Sequence, residues 1–113
     1  MKNLAPTIHR QRQVIEGYPC LPISAKQIQD YLSKLSDLLD MKALLRPVTH
    51  RSDKFGWAGW IHWESSGAHF YAWDRPVLFF SVDIYTCKKF DPKKSAHFTK
   101  KYFQAKEVRH KSI

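Results

Sequence analysis

Between residues 24 and 41 the apolar side chains recur with the period of a helix. Ile28, Tyr31, Leu32, Leu35, Leu38 and Leu39 fall at i, i+3, i+4, i+7, i+10 and i+11. At 3.6 residues per turn these six share one face. Ser24 precedes Gln27 by three residues, the spacing of a capping box, in which two side chains satisfy backbone N–H groups reciprocally. The pattern predicts a helix over 24–41 with a single apolar stripe, and such a stripe needs an apolar surface to cover.

That surface is written in the period of strands. Gln13–Tyr18 reads as a first strand, ended by Gly17 and Pro19. Ala43–His50 reads as another, broken or edged at Pro47, and Arg51–Lys54 as a polar turn. Gly56–Glu64 and His69–Trp73 read as strands joined through Ser65-Ser66-Gly67. After a turn at Asp74-Arg75-Pro76, Val77–Cys87 is the clearest strand, with Leu78, Phe80, Val82 and Ile84 on one face. Asp91 followed by Pro92 marks a helix start, the helix running to about Phe103, and Lys106–Ser112 closes the chain as a strand. Residues 1–11 are polar and expected to be loose. Helices separated by runs of adjacent strands indicate an α+β fold. The simplest packing is a two-layer sandwich, an antiparallel sheet with both helices on one face. With 113 residues, 43% of them hydrophobic, the chain is expected to form one domain with a small core, part of which a partner chain can complete.

The charge balance is +9, from 19 Lys and Arg against 10 Asp and Glu. Much of the excess lies late in the chain, at Lys88, Lys89, Lys93, Lys94, Lys100, Lys101, Lys106, Arg109 and Lys111. A solvated basic face explains this; a phosphate-binding face is the functional alternative. Cys20 and Cys87 form no CxxC pair and have no metal-ligand spacing. The N-terminus MKNLAPTIHRQRQ lacks the apolar run of a signal peptide, and no segment has the length and apolarity of a membrane span. A cytoplasmic location with free thiols is the expectation.

The unusual stretch is GWAGWIHWESSGAHFYAW, residues 56–73. It sets Trp57, Trp60, Trp63 and Trp73 around Glu64, Ser65, Ser66 and His69. Ser-Ser-Gly at a strand junction is also an ordinary tight turn, and tryptophans are commonly core. The serine-hydrolase pattern G-x-S-x-G is absent, the local context being E-S-S-G-A. His50, His62, His69 and His97 raise the question of a metal, yet no pair has a recognised ligand spacing on one helix.

From Val48 to Glu107 the chain resembles the bacterial and archaeal S-adenosylmethionine decarboxylase proenzymes. The matching pieces are Thr49-His50-Arg51, the Gly56-x-x-Gly59 run, the serine junction with Trp73 seven residues after Ser66, and Val82-Asp83-Ile84-Tyr85-Thr86-Cys87. Asp91-Pro92-Lys93-Lys94 and Lys101-Tyr102-Phe103 also match. The resemblance implies a serine whose hydroxyl attacks the preceding carbonyl, cutting the chain and leaving a pyruvoyl group at the head of the C-terminal piece. It implies that this ketone forms a Schiff base with the substrate amine and draws electrons as carbon dioxide leaves, and that a nearby acid returns the proton. Counting without gaps from His50 through Gly59 to Trp73 places Ser66 on the family's nucleophile, with Ser65 where the family has glutamate. Keeping the junction as Glu64-Ser65 instead requires a shift on each side. Cys87 falls on the family's proton donor.

Two positions depart from the family. Its second serine, which assists processing, is Ala58 here. Its histidine five residues after the nucleophile is Tyr71 here, with His69 two residues earlier on the same side of a strand. Either His69 or Tyr71 is then expected to handle protons. The implied substrate carries a sulfonium and an adenine, for which aromatic faces are suited; Trp57, Trp60, Phe70 and Trp73 are the candidates. The resemblance also implies a homodimer with active sites near the subunit boundary, and a role in polyamine synthesis. The competing readings are a pyruvoyl-dependent ornithine or arginine decarboxylase, an uncleaved non-catalytic partner of an active paralogue, and a basic nucleic-acid-binding domain.

Overall fold

Strand pairing joins six segments into one sheet, described by a computed structural model over residues 2–113. The elements are β1 (Gln11–Tyr18), α1 (Ala25–Leu38), β2 (Val48–Ser52), β3 (Gly56–Trp63), β4 (Ser66–Trp73), β5 (Phe79–Thr86), α2 (Pro92–Tyr102) and β6 (Glu107–Ser112). The sheet order is β2-β3-β4-β5-β1-β6, and every adjacent pair is antiparallel. Both helices cover the same face, so the expected α+β sandwich is what forms.

Alternation along the strands explains the layering. Ile15 of β1, Ile61 and Trp63 of β3, Ala68 and Phe70 of β4, and Phe80, Val82 and Ile84 of β5 are all buried on the helix side. The stripe of α1 meets them through Ile28, Tyr31, Leu32 and Leu35, each fully buried. Tyr31 is the hub: its ring lies 5.3 Å from that of Phe70, 5.6 Å from Phe98 and 4.9 Å from Phe103. A buried phenol needs a partner, and Tyr31 has one in Thr99 at 2.7 Å. The close approach of α1 depends on Gly59, where a Cβ would stand 2.6 Å from Ile28 Cγ2 and 3.0 Å from Thr49 Cγ2.

Ser24 and Gln27 form the reciprocal cap expected of them, and Asp91 caps α2 by accepting from the Lys93 N–H at 2.9 Å. The first helix stops at Leu38 rather than 41. Asp40 takes a φ of 55°, and the Met41 N–H turns back to the Ser36 carbonyl at 2.8 Å.

β1 begins at Gln11, inside the stretch expected to be loose, β5 is shorter than expected at Phe79–Thr86, and three further strand limits differ from expectation. The segment before Pro47 is not a strand; only Ala43 bridges to Trp63, and β2 begins at Val48. β2 extends to Ser52, into the stretch expected to be a turn. The third difference concerns the serines. Trp63 pairs directly with Ser66, so the connection is the two residues Glu64-Ser65, and Ser66 and Gly67 belong to β4 rather than to a loop.

Candidate active site

The tight β3–β4 connection brings the serines against the end of β5. Ser66 pairs with Thr86, which leaves Cys87 beside Ser65. The Ser65 carbonyl oxygen accepts two hydrogen bonds from Cys87, from the backbone N–H at 2.9 Å and from Sγ at 3.3 Å. This is the carbonyl immediately preceding Ser66, and two donors on one oxygen stabilise negative charge there. Among the described residues no donor reaches the Glu64 carbonyl oxygen. Ser66 itself has a φ of 132°, a region L-residues rarely occupy, with a strain of about 1–3 kcal/mol. Gly67 follows because any side chain there would meet the Ile61 carbonyl.

Ser65 faces the other way. Its hydroxyl donates to Met41 Sδ at 3.2 Å. The loop carrying Met41 runs along the turn: the Glu64 N–H donates to the Lys42 carbonyl at 2.8 Å, and the Leu44 N–H to the His62 carbonyl at 3.0 Å. Glu64 and Lys42 form an exposed ion pair at 3.4 Å, and Lys88 hydrogen-bonds the Asp40 carbonyl. Trp63 anchors the turn from beneath. It is 2% exposed, and its Nε1–H donates to Ser36 Oγ at 2.7 Å.

On the sheet face away from the helices, a cleft of about 310 Å³ is lined by Leu44, His62, Trp63, Ser66, Gly67, His69 and Tyr85. The rings of His62 and His69 lie 6.4 Å apart, and that of Trp60 is 4.6 Å from His62. His69 is flanked across the strands by Trp60 and Asp83. Asp83 is held by Arg12 in a two-pronged ion pair at 3.0 and 2.7 Å.

Of the residues expected from sequence, Ser65, Ser66, Glu64 and Cys87 therefore meet at one turn, and His69 shares a cleft with Ser66. Tyr71 does not join them: it lies five residues along β4, about 16 Å at strand rise. It stands directly across from Ala58, so the two departures from the family pattern are neighbours. The expectation for Phe70 is corrected. It is fully buried among Tyr31, Phe80 and Phe103 and has no free face to offer a ligand. Trp57 lies on the helix side beneath Arg51. Trp57 and Trp73 both sit at the end of the sheet remote from Ser66, while Trp60 is on the open face nearer the cleft. A buried thiol was the structural alternative for Cys87, but the residue is exposed.

His62, Tyr85, Leu44 and Met41 escaped assignment by sequence. The first two had a usable signal, since strand alternation puts them on the face of His69 once the turn is known to be two residues long. Four of the late basic residues lie elsewhere: Lys93, Lys94, Lys100 and Lys101 are exposed on α2, in the layer opposite the cleft.

The architecture is shared with a solved crystal structure, that of the adenosylmethionine decarboxylase from Aquifex aeolicus. The TM-score is 0.75 at 14% identity, covering 94% of this chain and 89% of that one. The chain belongs to the S-adenosylmethionine decarboxylase family, whose sequence model matches residues 12–113. These enzymes are carboxy-lyases, and membership favours S-adenosylmethionine over the basic amino acids as substrate. No curated protein sequence matches the chain.

Proposed function

We propose that this chain is a self-processing, pyruvoyl-dependent S-adenosylmethionine decarboxylase in which Ser66 is the nucleophile. The observation that carries the reading is the pair of donors from Cys87 on the Ser65 carbonyl oxygen. Ser66 Oγ attacks that carbonyl carbon, and the oxygen takes up negative charge against the Cys87 N–H and thiol. Collapse breaks the Ser65–Ser66 C–N bond and leaves an ester to the Ser66 side chain, the amine taking the proton. Loss of the Ser66 Cα proton expels the Ser65 carboxylate. Hydrolysis then consumes one water and releases ammonia, leaving a ketone at residue 66. The strained φ of Ser66 raises the energy of the intact peptide relative to this product. When formed, the pyruvoyl group supplies the electron-withdrawing carbonyl that decarboxylation of an amino acid requires.

The chain's own residues then bind the substrate and move protons. Tyr85 and His62, with Trp60 behind, offer aromatic faces for a sulfonium and an adenine. Among the described residues no carboxylate lines the cleft; Glu64 is paired with Lys42 and Asp83 with Arg12. A distal ammonium or guanidinium of ornithine or arginine would lack its counter-ion there. Cys87, whose thiol reaches the Ser65 carbonyl, and His69, which shares the cleft with Ser66, serve as the proton carriers.

The whole chain acts as one domain, in the cytoplasm, as a homodimer. Support for the dimer is the uncovered sheet face, where Tyr18, Tyr71 and Tyr85 are 48%, 44% and 46% exposed alongside Trp60, Trp73 and Phe79. Tyr71 and Trp73 lie too far from Ser66 to serve it within one chain, and a second copy across that face brings such residues within reach.

Denaturing mass spectrometry of the purified protein tests the central claim. The expected result is two fragments, 1–65 and a pyruvoyl-blocked 66–113, both absent in Ser66→Ala. A single intact 13.3 kDa species would instead support a non-catalytic relative, the reading that the Ala58–Tyr71 pair favours.

A further inference from the structure

Two adjacent hydroxyls could each attack the carbonyl before it, yet one defined pyruvoyl group requires one to be silenced. From the geometry we infer that Met41 is the positioning residue that makes this choice; the inference rests on the self-cleavage reading. Met41 is 6% exposed, so its thioether is fixed by packing. Its Sδ accepts a hydrogen bond from the Ser65 hydroxyl at 3.2 Å, which keeps that hydroxyl engaged with a buried partner. The same contact sets the turn so that the Ser65 carbonyl meets both Cys87 donors. Around it the loop is tied at every step, by Asp40 to Lys88, by Lys42 to Glu64, by Ala43 to Trp63 and by Leu44 to His62. Met41 thus sits at the centre of a strap that reaches the serine pair's side chains through this hydrogen bond.

Both reactions balance identically, each converting one peptide bond and one water into a carboxylate, a ketone and ammonia. They differ in the bond broken, which fragment mass reports. Four full-length proteins are compared by timed quenching of fresh translation product and intact-mass measurement: unaltered, Met41→Leu, Ser65→Ala, and the double variant. The unaltered chain gives 1–65 and 66–113 alone. Met41→Leu slows that cut about fivefold, the rate equivalent of one ordinary net hydrogen bond, and adds fragments 1–64 and 65–113. In the Ser65→Ala background the same change alters the rate less than twofold, because the thioether's partner is already gone. Met41→Gln, which restores an acceptor at similar length, returns the single cut.

Single cutting at the unaltered rate in Met41→Leu overturns the inference. So does an equal slowing in both backgrounds, which would make Met41 a packing residue or report a folding defect. Absence of fragments from the unaltered chain overturns self-cleavage itself, a result distinct from normal cleavage in the variant.

Discussion

Cys87→Ala tests the carbonyl geometry directly. The substitution removes the thiol donor at 3.3 Å from the Ser65 oxygen and leaves the backbone N–H at 2.9 Å in place. Loss of one well-placed oxyanion donor costs about 10²–10³-fold in rate. A thiol is a weaker donor than an amide, and the contact is long, so the expected slowing is about tenfold, or about 1.4 kcal/mol of barrier. The assay follows disappearance of the intact chain on denaturing gels after synthesis in a cell-free system, with fragment masses identifying the bond. Cys87→Ser separates the two roles given to the residue. Its hydroxyl still donates, so cleavage stays within a few-fold of normal. An alcohol is a far weaker acid than a thiol, whose reference pKa is about 8.5, so carbon dioxide release from S-adenosylmethionine by the processed protein falls by at least ten times more than cleavage does. Normal cleavage kinetics in Cys87→Ala would refute the assignment of the thiol to the oxyanion.

Other parts of the molecule give independent checks. Gly59→Ala places a methyl 2.6 Å from Ile28 Cγ2; overpacking of this kind costs about 1–3 kcal/mol, read as a lower urea midpoint at unchanged slope. Tyr102 donates to Asp30 at 2.6 Å, and this bond, with Lys34, holds the Asp30 carboxyl below its usual pKa. The unaltered protein is therefore more stable than Tyr102→Phe above the ordinary carboxylate range, near pH 4, and the difference disappears as pH falls through the lowered value; a gap that persists in acid would show another cause. Phe79 lies on the open face, 5.3 Å from Trp73 and 6.1 Å from Tyr18 by ring centroid. With the proposed homodimer built on this face, Phe79→Lys gives a monomer by light scattering, and an unchanged dimer would place the interface elsewhere.

Much of this molecule was legible in the residues. The α1 stripe, its cap, the Asp91-Pro92 helix start and the β5 alternation are local signals, each complete within about a dozen positions. Ser66 and Cys87 were singled out because the motifs around them match a family pattern. What was not legible depended on pairing. The sequence Glu64-Ser65-Ser66-Gly67 is compatible with turns of several lengths, and only the register of Trp63 against Ser66 puts the second serine inside the strand. That register carries His62 and Tyr85 to the cleft. Met41 lies 24 residues before its partner Ser65, in a loop with no periodicity, so nothing local marks it. Phe70 was misassigned because aromatic residues serve cores and binding faces equally well, and parity on β4 decides between them.

The order of strands also bears on what a broken chain would do. A cut after Ser65 yields one piece holding β1, α1, β2 and β3 and another holding β4, β5, α2 and β6. These do not lie side by side like two halves of a split log. The first strand of the leading piece is threaded between two strands of the trailing piece, β5 and β6, while β3 still zips along β4. To part, the pieces would have to unfasten three ladders at once, so a chain cut in mid-sheet would remain a body that behaves as if it were still one chain.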